Sequence, residues 1–307
     1  MLNDNLKRLI RCVVNNDLVN AKKVVRIILS LEKAEKNKNF VNSMLTTLND
    51  NPNFFELPSD VKGLLTLEDV ENLFKNNRFV ITDKESEIVN KVVGIWKTND
   101  KLLEYNINYL NSILLYGESG CGKTMLGKYI AYKTGQPFCH MNFSKIVDSY
   151  LGKTGSNIQK IFDYISKTKC VLMIDEIDAI GSVRGSETVS EMSRVVISLM
   201  QNLDTLNNGT IIIGATNRID IIDDALKRRF SIKHEILKPS KELIKEITRK
   251  YIESIPEINC SENDLELFSE RMLGYNTAHI INNIIDSVVK YLTGENNIFV
   301  LKYTDED

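Results

Sequence analysis

The sequence predicts an α/β domain on a parallel sheet, with a short helical segment before it and a small helical unit after it. Three observations carry that expectation. From about residue 78, short aliphatic runs alternate with segments of helical periodicity. The runs Ile113–Tyr116, Val171–Ile174 and Ile211–Gly214 are continuously apolar and Phe138–Met141 mostly so, which suits strands covered on both faces. Past Pro239 only helical stripes remain. A chain of 307 residues has the length of two domains and can bury a core without covalent staples.

The elements follow in order. Leu6, Leu9, Ile10, Val13 and Val14 recur at helical spacing, and Val24, Val25, Ile28 and Leu31 form a second stripe after Asn15-Asn16-Asp17. The run Asn49-Asp50-Asn51-Pro52-Asn53 breaks the pattern. Residues 54–77 read as a linker with one short helix, Leu67–Phe74. This divides the chain into a helical N-terminal domain and linker (1–77), an α/β domain (78–237) and a C-terminal helical domain with an acidic tail (238–307). The N-terminal helices carry one stripe each, too little to close a core. They should pack on each other, on the next domain or on a partner. In the last domain, Leu243, Ile244, Ile247 and Tyr251 form one stripe, and Ile280, Ile281, Ile284, Ile285 and Val288 another.

Composition removes several classes. Net charge is −2, so the whole chain is no electrostatic nucleic-acid binder. Residues 1–50 hold nine Lys/Arg against five Asp/Glu, a net +4 that reads as a solvated helix face. No apolar run approaches the roughly 20 residues of a spanning helix, and the N-terminus lacks a secretory h-region. Five widely spaced cysteines without a C-x-x-C pair form neither a disulfide framework nor a zinc site. The expected compartment is the cytoplasm, with no membrane contact.

Gly117, Glu118, Ser119, Gly120, Cys121, Gly122, Lys123 and Thr124 fit G-x-x-x-x-G-K-[ST], with an apolar strand before and a helical stretch, starting through Met125, after. Glycines let such a loop close into a nest of N–H groups facing phosphate oxygens, and the following helix points its positive end at the same anion. Lys123 offers charge to the β- and γ-phosphates of ATP, and the Thr124 hydroxyl offers a ligand to Mg²⁺. Cys121, inside the loop, is expected to be a reactive thiolate. Fifty-two positions after Lys123, the strand Val171–Ile174 ends in Asp175-Glu176. Asp175 can share the Mg²⁺ with Thr124, and Glu176 can act as the base for the attacking water. A further strand ends at Asn217, placed to bond the γ-phosphate and that water. Arg228 and Arg229, eleven and twelve residues on, can stabilise charge developing on a γ-phosphate.

Together, GESGCGKT, VLMIDEIDAIGSVRG and GATNRIDIIDDALKRRF resemble the AAA family of ATPases over roughly residues 78–290. The resemblance implies a P-loop NTPase fold with a helical lid, with Asn217 as first sensor and Arg228 and Arg229 as arginine fingers acting on a neighbour. Phe143–Gly155 resembles the family's first pore loop, with Tyr150 and Leu151 gripping an extended polypeptide. Gly274–Ile280 resembles the start of the lid helix, with Ala278 near the nucleotide. His279 stands where the family usually has an acid, and Asn276-Thr277 replace the usual Ser-Gly. The whole chain is similar to small bacterial and phage AAA proteins, whose genes often neighbour a subtilisin-like protease.

The resemblance implies a ring, usually a hexamer, in which ATP hydrolysis remodels, unfolds or translocates a protein client, with any protease as a separate partner. The chain itself has three histidines and neither H-E-x-x-H nor G-x-S-x-G. A nucleic-acid remodeller of the same fold is the second reading. It is disfavoured because residues 1–38 contain no stacking aromatic. A slow nucleotide-dependent scaffold is the third, and the complete set of catalytic residues opposes it.

Overall fold

The computed structural model describes residues 4–14, 18–32, 34–50, 57–58, 60–143, 154–181, 186–206, 209–294 and 299–301. Its centre is a six-stranded sheet of β1 (Thr66–Glu68), β2 (Asn111–Tyr116), β3 (Phe138–Asn142), β4 (Val171–Asp175), β5 (Ile211–Thr216) and β6 (Ile232–Glu235). Their spatial order is β1-β3-β4-β5-β2-β6. All neighbours are parallel except β1, which runs antiparallel to β3 at the edge.

The continuous apolar runs are explained by what covers them. Leu114, Cys139, Met141, Leu172, Ile174 and Ile212 face one core cluster, which also contains Ile158, Ile161, Leu199 and Phe230. Their strand neighbours Ile113, Leu115, Phe138, Val171, Met173, Ile211 and Ile213 face a second cluster with Val89, Val92, Leu126 and Ile130. Alternate residues therefore enter opposite cores, as a sheet sandwiched by helices requires. The helices α4 (Asp83–Glu104) and α5 (Lys123–Thr134) close one face, and α6 (Thr154–Ile165) and α7 (Ser186–Thr205) the other. Thr82 starts α4 with a capping box. Its hydroxyl accepts from the Glu85 N–H, and the Glu85 carboxylate accepts from the Thr82 N–H.

The expected helix over Leu67–Phe74 is not formed. Residues 66–68 are the edge strand β1, and Glu71–Phe74 is a 3₁₀ turn. The α/β unit accordingly draws on residues before 78. Val61 and Leu65 enter one core and Val70 and Phe74 the other, so sheet pairing and burial decide the local conformation.

The short helix α8 (Asp224–Lys227) precedes β6. Beyond it lie α9 (Lys241–Glu253), α10 (Glu262–Arg271) and α11 (Thr277–Leu292), capped by Ser240, Ser261 and Asn276. Ile244, Ile247, Phe268, Met272, Ile280 and Ile284 form their core, with Val80 packed against it. At the other end of the chain, α1 (Asp4–Val14) packs on α2 (Leu18–Leu31), and α2 on α3 (Lys38–Asp50). Helix α1 buries none of its residues, and Leu6, Ile10, Val13 and Val14 are exposed. Among the described residues no helix is long and apolar enough to cross a membrane.

Candidate phosphate-binding site

The register places three chain segments at one sheet edge. Tyr116 pairs with Thr216 and Ile174 with Gly214, so the loop after β2, the acids ending β4 and Asn217 after β5 all emerge together. Residues 117–122 form the turn between β2 and α5. Gly117 has φ +140, and an added Cβ would stand 2.2 Å from the Ile236 carbonyl oxygen. That closeness arises because the Ile236 N–H donates to the Tyr116 carbonyl at 2.8 Å, extending the β2–β6 pairing. Gly122, at φ +109, is the N-cap of α5, so the helix starts at the loop with its free N–H groups turned to the same mouth.

Lys123 is 8% exposed and its ammonium is held by three oxygens. It donates to the carbonyls of Gly117 at 2.7 Å and Glu118 at 2.8 Å and to Asn217 Oδ1 at 2.6 Å. Burial lowers its pKa from the ordinary value, opposed by the neighbouring Cys121, Asp175 and Asp178. Thr124 Oγ1 donates to Asp175 Oδ2 at 3.3 Å, and His140 Nε2 lies 3.2 Å from the same oxygen. Burial would raise the Asp175 carboxyl, but bonds from His140, the Glu176 N–H and Thr124 outweigh it and hold the pKa low. Two hard oxygen donors at this spacing suit Mg²⁺. Glu176 is exposed beside them in a left-handed conformation, φ +55, with its N–H donating to Asp175 Oδ1 at 2.9 Å. A side chain in that region costs roughly 1–2 kcal/mol, a strain typical of functional positions.

Glu118, Gly120 and Cys121 of the loop, and Met125 after it, have structural partners. Glu118 pairs with Lys238 at 2.9 Å. Met125 packs against the core beneath α5. Ala278 N–H donates to the Gly120 carbonyl at 2.9 Å, and Thr277 Oγ1 lies 3.4 Å from the Cys121 carbonyl, so α11 is docked on the loop through its first turn. His279 stacks on Tyr275 with ring centroids 4.6 Å apart.

One expectation is overturned. Cys121 is 5% exposed, and burial raises its pKa despite the nearby Lys123 charge. It is a packed thiol rather than a reactive thiolate. Three contacts were not anticipated: His140 on Asp175, Thr216 Oγ1 donating to Asp178 Oδ1 at 2.9 Å, and Lys238 on Glu118. Each joins residues far apart in sequence, and only strand ends carrying polar groups hinted at them. Tyr150 and Leu151 lie outside the described residues. Arg228 and Arg229 are not brought to the loop. Ser112 Oγ, at the start of β2, donates to the Arg229 carbonyl at 2.8 Å, whereas the loop follows the end of that strand.

A profile of the ATPase family associated with various cellular activities (AAA) matches residues 113–237. The ATP-dependent zinc metalloprotease FtsH of Lachnoclostridium phytofermentans is 27% identical across 96% of this chain and 50% of its own length. The proteasome-activating nucleotidase of Methanoculleus marisnigri is 32% identical across 66% of this chain and 52% of its own. An ATP-dependent zinc metalloprotease YME1 homolog of Caenorhabditis elegans is 29% identical across 82% and 35%. The chain thus spans about half the length, or less, of the curated relatives it matches.

Proposed function

We propose that this chain, a member of the AAA family of ATPases, hydrolyses ATP in a ring of like subunits, taken as a hexamer, and uses the reaction to remodel or unfold and translocate a protein client. One observation carries the chemistry: Lys123, Thr124, Asp175, Glu176 and Asn217 converge on the mouth of the glycine loop from three strand ends.

Each residue has a role there. The loop N–H groups and Lys123 hold the β- and γ-phosphates, and Lys123 exchanges an internal oxygen for a phosphate oxygen. Thr124 and Asp175 would hold Mg²⁺, which neutralises phosphate charge when bound. Glu176 accepts a proton from the attacking water, and Asn217 orients that water against the γ-phosphate. Ala278 and the first turn of α11 couple the state of the loop to the helical lid. Arg228 and Arg229 serve a neighbour's site, and Tyr150 with Leu151 contacts the client.

Relatives whose names join ATP to proteolysis and to the proteasome support a protein client. A separate protease is our candidate partner for cleavage of the client, a subtilisin-like enzyme by the resemblance to small AAA proteins. Phosphate release by the full chain, measured with an unfolded protein or with single-stranded DNA, tests the reading. Stimulation by the unfolded protein is expected. Stimulation by DNA alone overturns the client class, and absence of any turnover overturns the ATPase.

A further inference from the structure

Arg228 and Arg229 are adjacent, basic and indistinguishable by motif, yet the structure treats them differently. Arg229 is committed within its own subunit. Its Nε and Nη2 donate to the two carboxylate oxygens of Asp204 at 3.2 and 3.0 Å, and its Nη1 donates to the Ala225 carbonyl at 2.9 Å. Every guanidinium nitrogen is used. The two-point pair is the geometry in which arginine is held most firmly. It ties the last turn of α7 to the end of α8, while the Arg229 carbonyl ties the same corner to Ser112 of β2.

Arg228 caps the end of α8 and makes no ion pair among the described residues. It lines a cleft of about 640 Å³ with Tyr109, Leu110, Asp204 and Arg229. Moving Arg229 to a phosphate would break three hydrogen bonds and strand Asp204; moving Arg228 breaks none that the structure shows.

We propose that Arg228 alone is the arginine finger toward the neighbouring subunit's γ-phosphate, and that Arg229 is a positioning residue which, clamped by Asp204, fixes the corner from which Arg228 extends. This rests on the reading that the site is completed by a neighbour.

The test measures kcat, fluorescent-ATP affinity and rate against protein concentration for Arg228→Ala, Arg229→Ala, Asp204→Asn, the last two combined, and the exchange Asp204→Arg with Arg229→Asp. We expect Arg228→Ala to lose about 10³-fold in kcat with ATP affinity kept. Asp204→Asn and Arg229→Ala should fall by the same factor, to within about threefold, and the double variant no further. The exchange should return kcat to within about threefold of the parent, since either orientation restores the clamp. A finger role for Arg229 gives a different pattern: Asp204→Asn stays active, Arg229→Ala is dead and the exchange does not rescue. That pattern overturns the proposal, and the Asp204→Asn comparison decides it even if the exchange fails to fold. Failure of the neighbour reading is separate. There, Arg228→Ala turns over normally and rate per subunit stays flat on dilution.

Discussion

Lys123 Nζ donates to the Asn217 side-chain oxygen at 2.6 Å, joining the helix after β2 to the residue after β5 across 94 positions. The ammonium is buried, and three protein oxygens satisfy its N–H donors. In the proposed mechanism Lys123 serves the phosphates, Glu176 the proton of the water and Asn217 the orientation of that water.

That division predicts different losses for different residues. Lys123→Ala should abolish tight ATP binding, because the charge facing the β- and γ-phosphates is gone. Glu176→Gln should bind ATP normally and lose turnover, since only the water's base is removed. Asn217→Ala should keep most binding and lose turnover. Fluorescent-ATP titration beside phosphate release checks all three, and equal loss of binding in Lys123→Ala and Glu176→Gln would contradict the assignment.

The glycine loop predicts a second ordering, this time in stability. Gly117 has both a positive φ and the Ile236 carbonyl 2.2 Å from any Cβ, so Gly117→Ala must push β2 from β6. A cost of about 3 kcal/mol or more follows. Gly122 has φ +109 but open space around it, so Gly122→Ala bears only the backbone cost, about 1–2 kcal/mol. Denaturant midpoints should rank parent, Gly122→Ala, Gly117→Ala. A reversal would mean the Ile236 contact is softer than the structure has it.

The convergence of the candidate residues at one sheet edge was legible in the sequence because they lie in short local runs: a glycine loop after one apolar strand, an acid pair after another, an asparagine after a third. What was not legible is what non-local packing decides. Leu67, Val70 and Phe74 stand at helical spacing, but Leu67 packs into one face of the sheet's core and the other two into the opposite face. A strand of three residues is too short to show its own period. Cys121 failed for a related reason. A positive neighbour and a helix start argue for a thiolate, and only the fold reveals that burial wins. The clamp of Arg229 by Asp204, 25 positions away, has no sequence pattern at all.

The helical lid predicts an acid response. Glu266 on α10 receives bonds from Lys241 and Lys245 of α9, which lower its pKa from 4.5 to about 2 and raise those of the lysines. A carboxylate with a depressed folded pKa contributes stability above its unfolded value, lost as pH falls from about 4.5 through about 2. These groups are half-buried at the surface, so the contribution is partly screened and should shrink further in 1 M salt, where the Debye length is about 3 Å. Melting temperature should fall between pH 5 and pH 2 more steeply for the parent than for Glu266→Gln. Parallel profiles at low salt would remove the network from the account.

Assembly gives the last prediction. Arg228 belongs to a corner anchored at Ser112, and the loop begins after Tyr116, four residues or about 13 Å along β2. In the proposed ring, a finger there would serve another subunit's phosphate rather than its own. ATPase rate per subunit should therefore rise steeply with protein concentration, and Arg228→Ala should bind ATP with little turnover. Mixing decides the matter. In a ring containing both Arg228→Ala and Lys123→Ala subunits, some interfaces place an intact Lys123 site against an intact Arg228. Such a mixture should regain activity that neither variant has alone, most at equal proportions. If both arginines were a solvated surface patch, Arg228→Ala would turn over normally, dilution would leave the rate per subunit unchanged, and mixing would give only the average of the two variants.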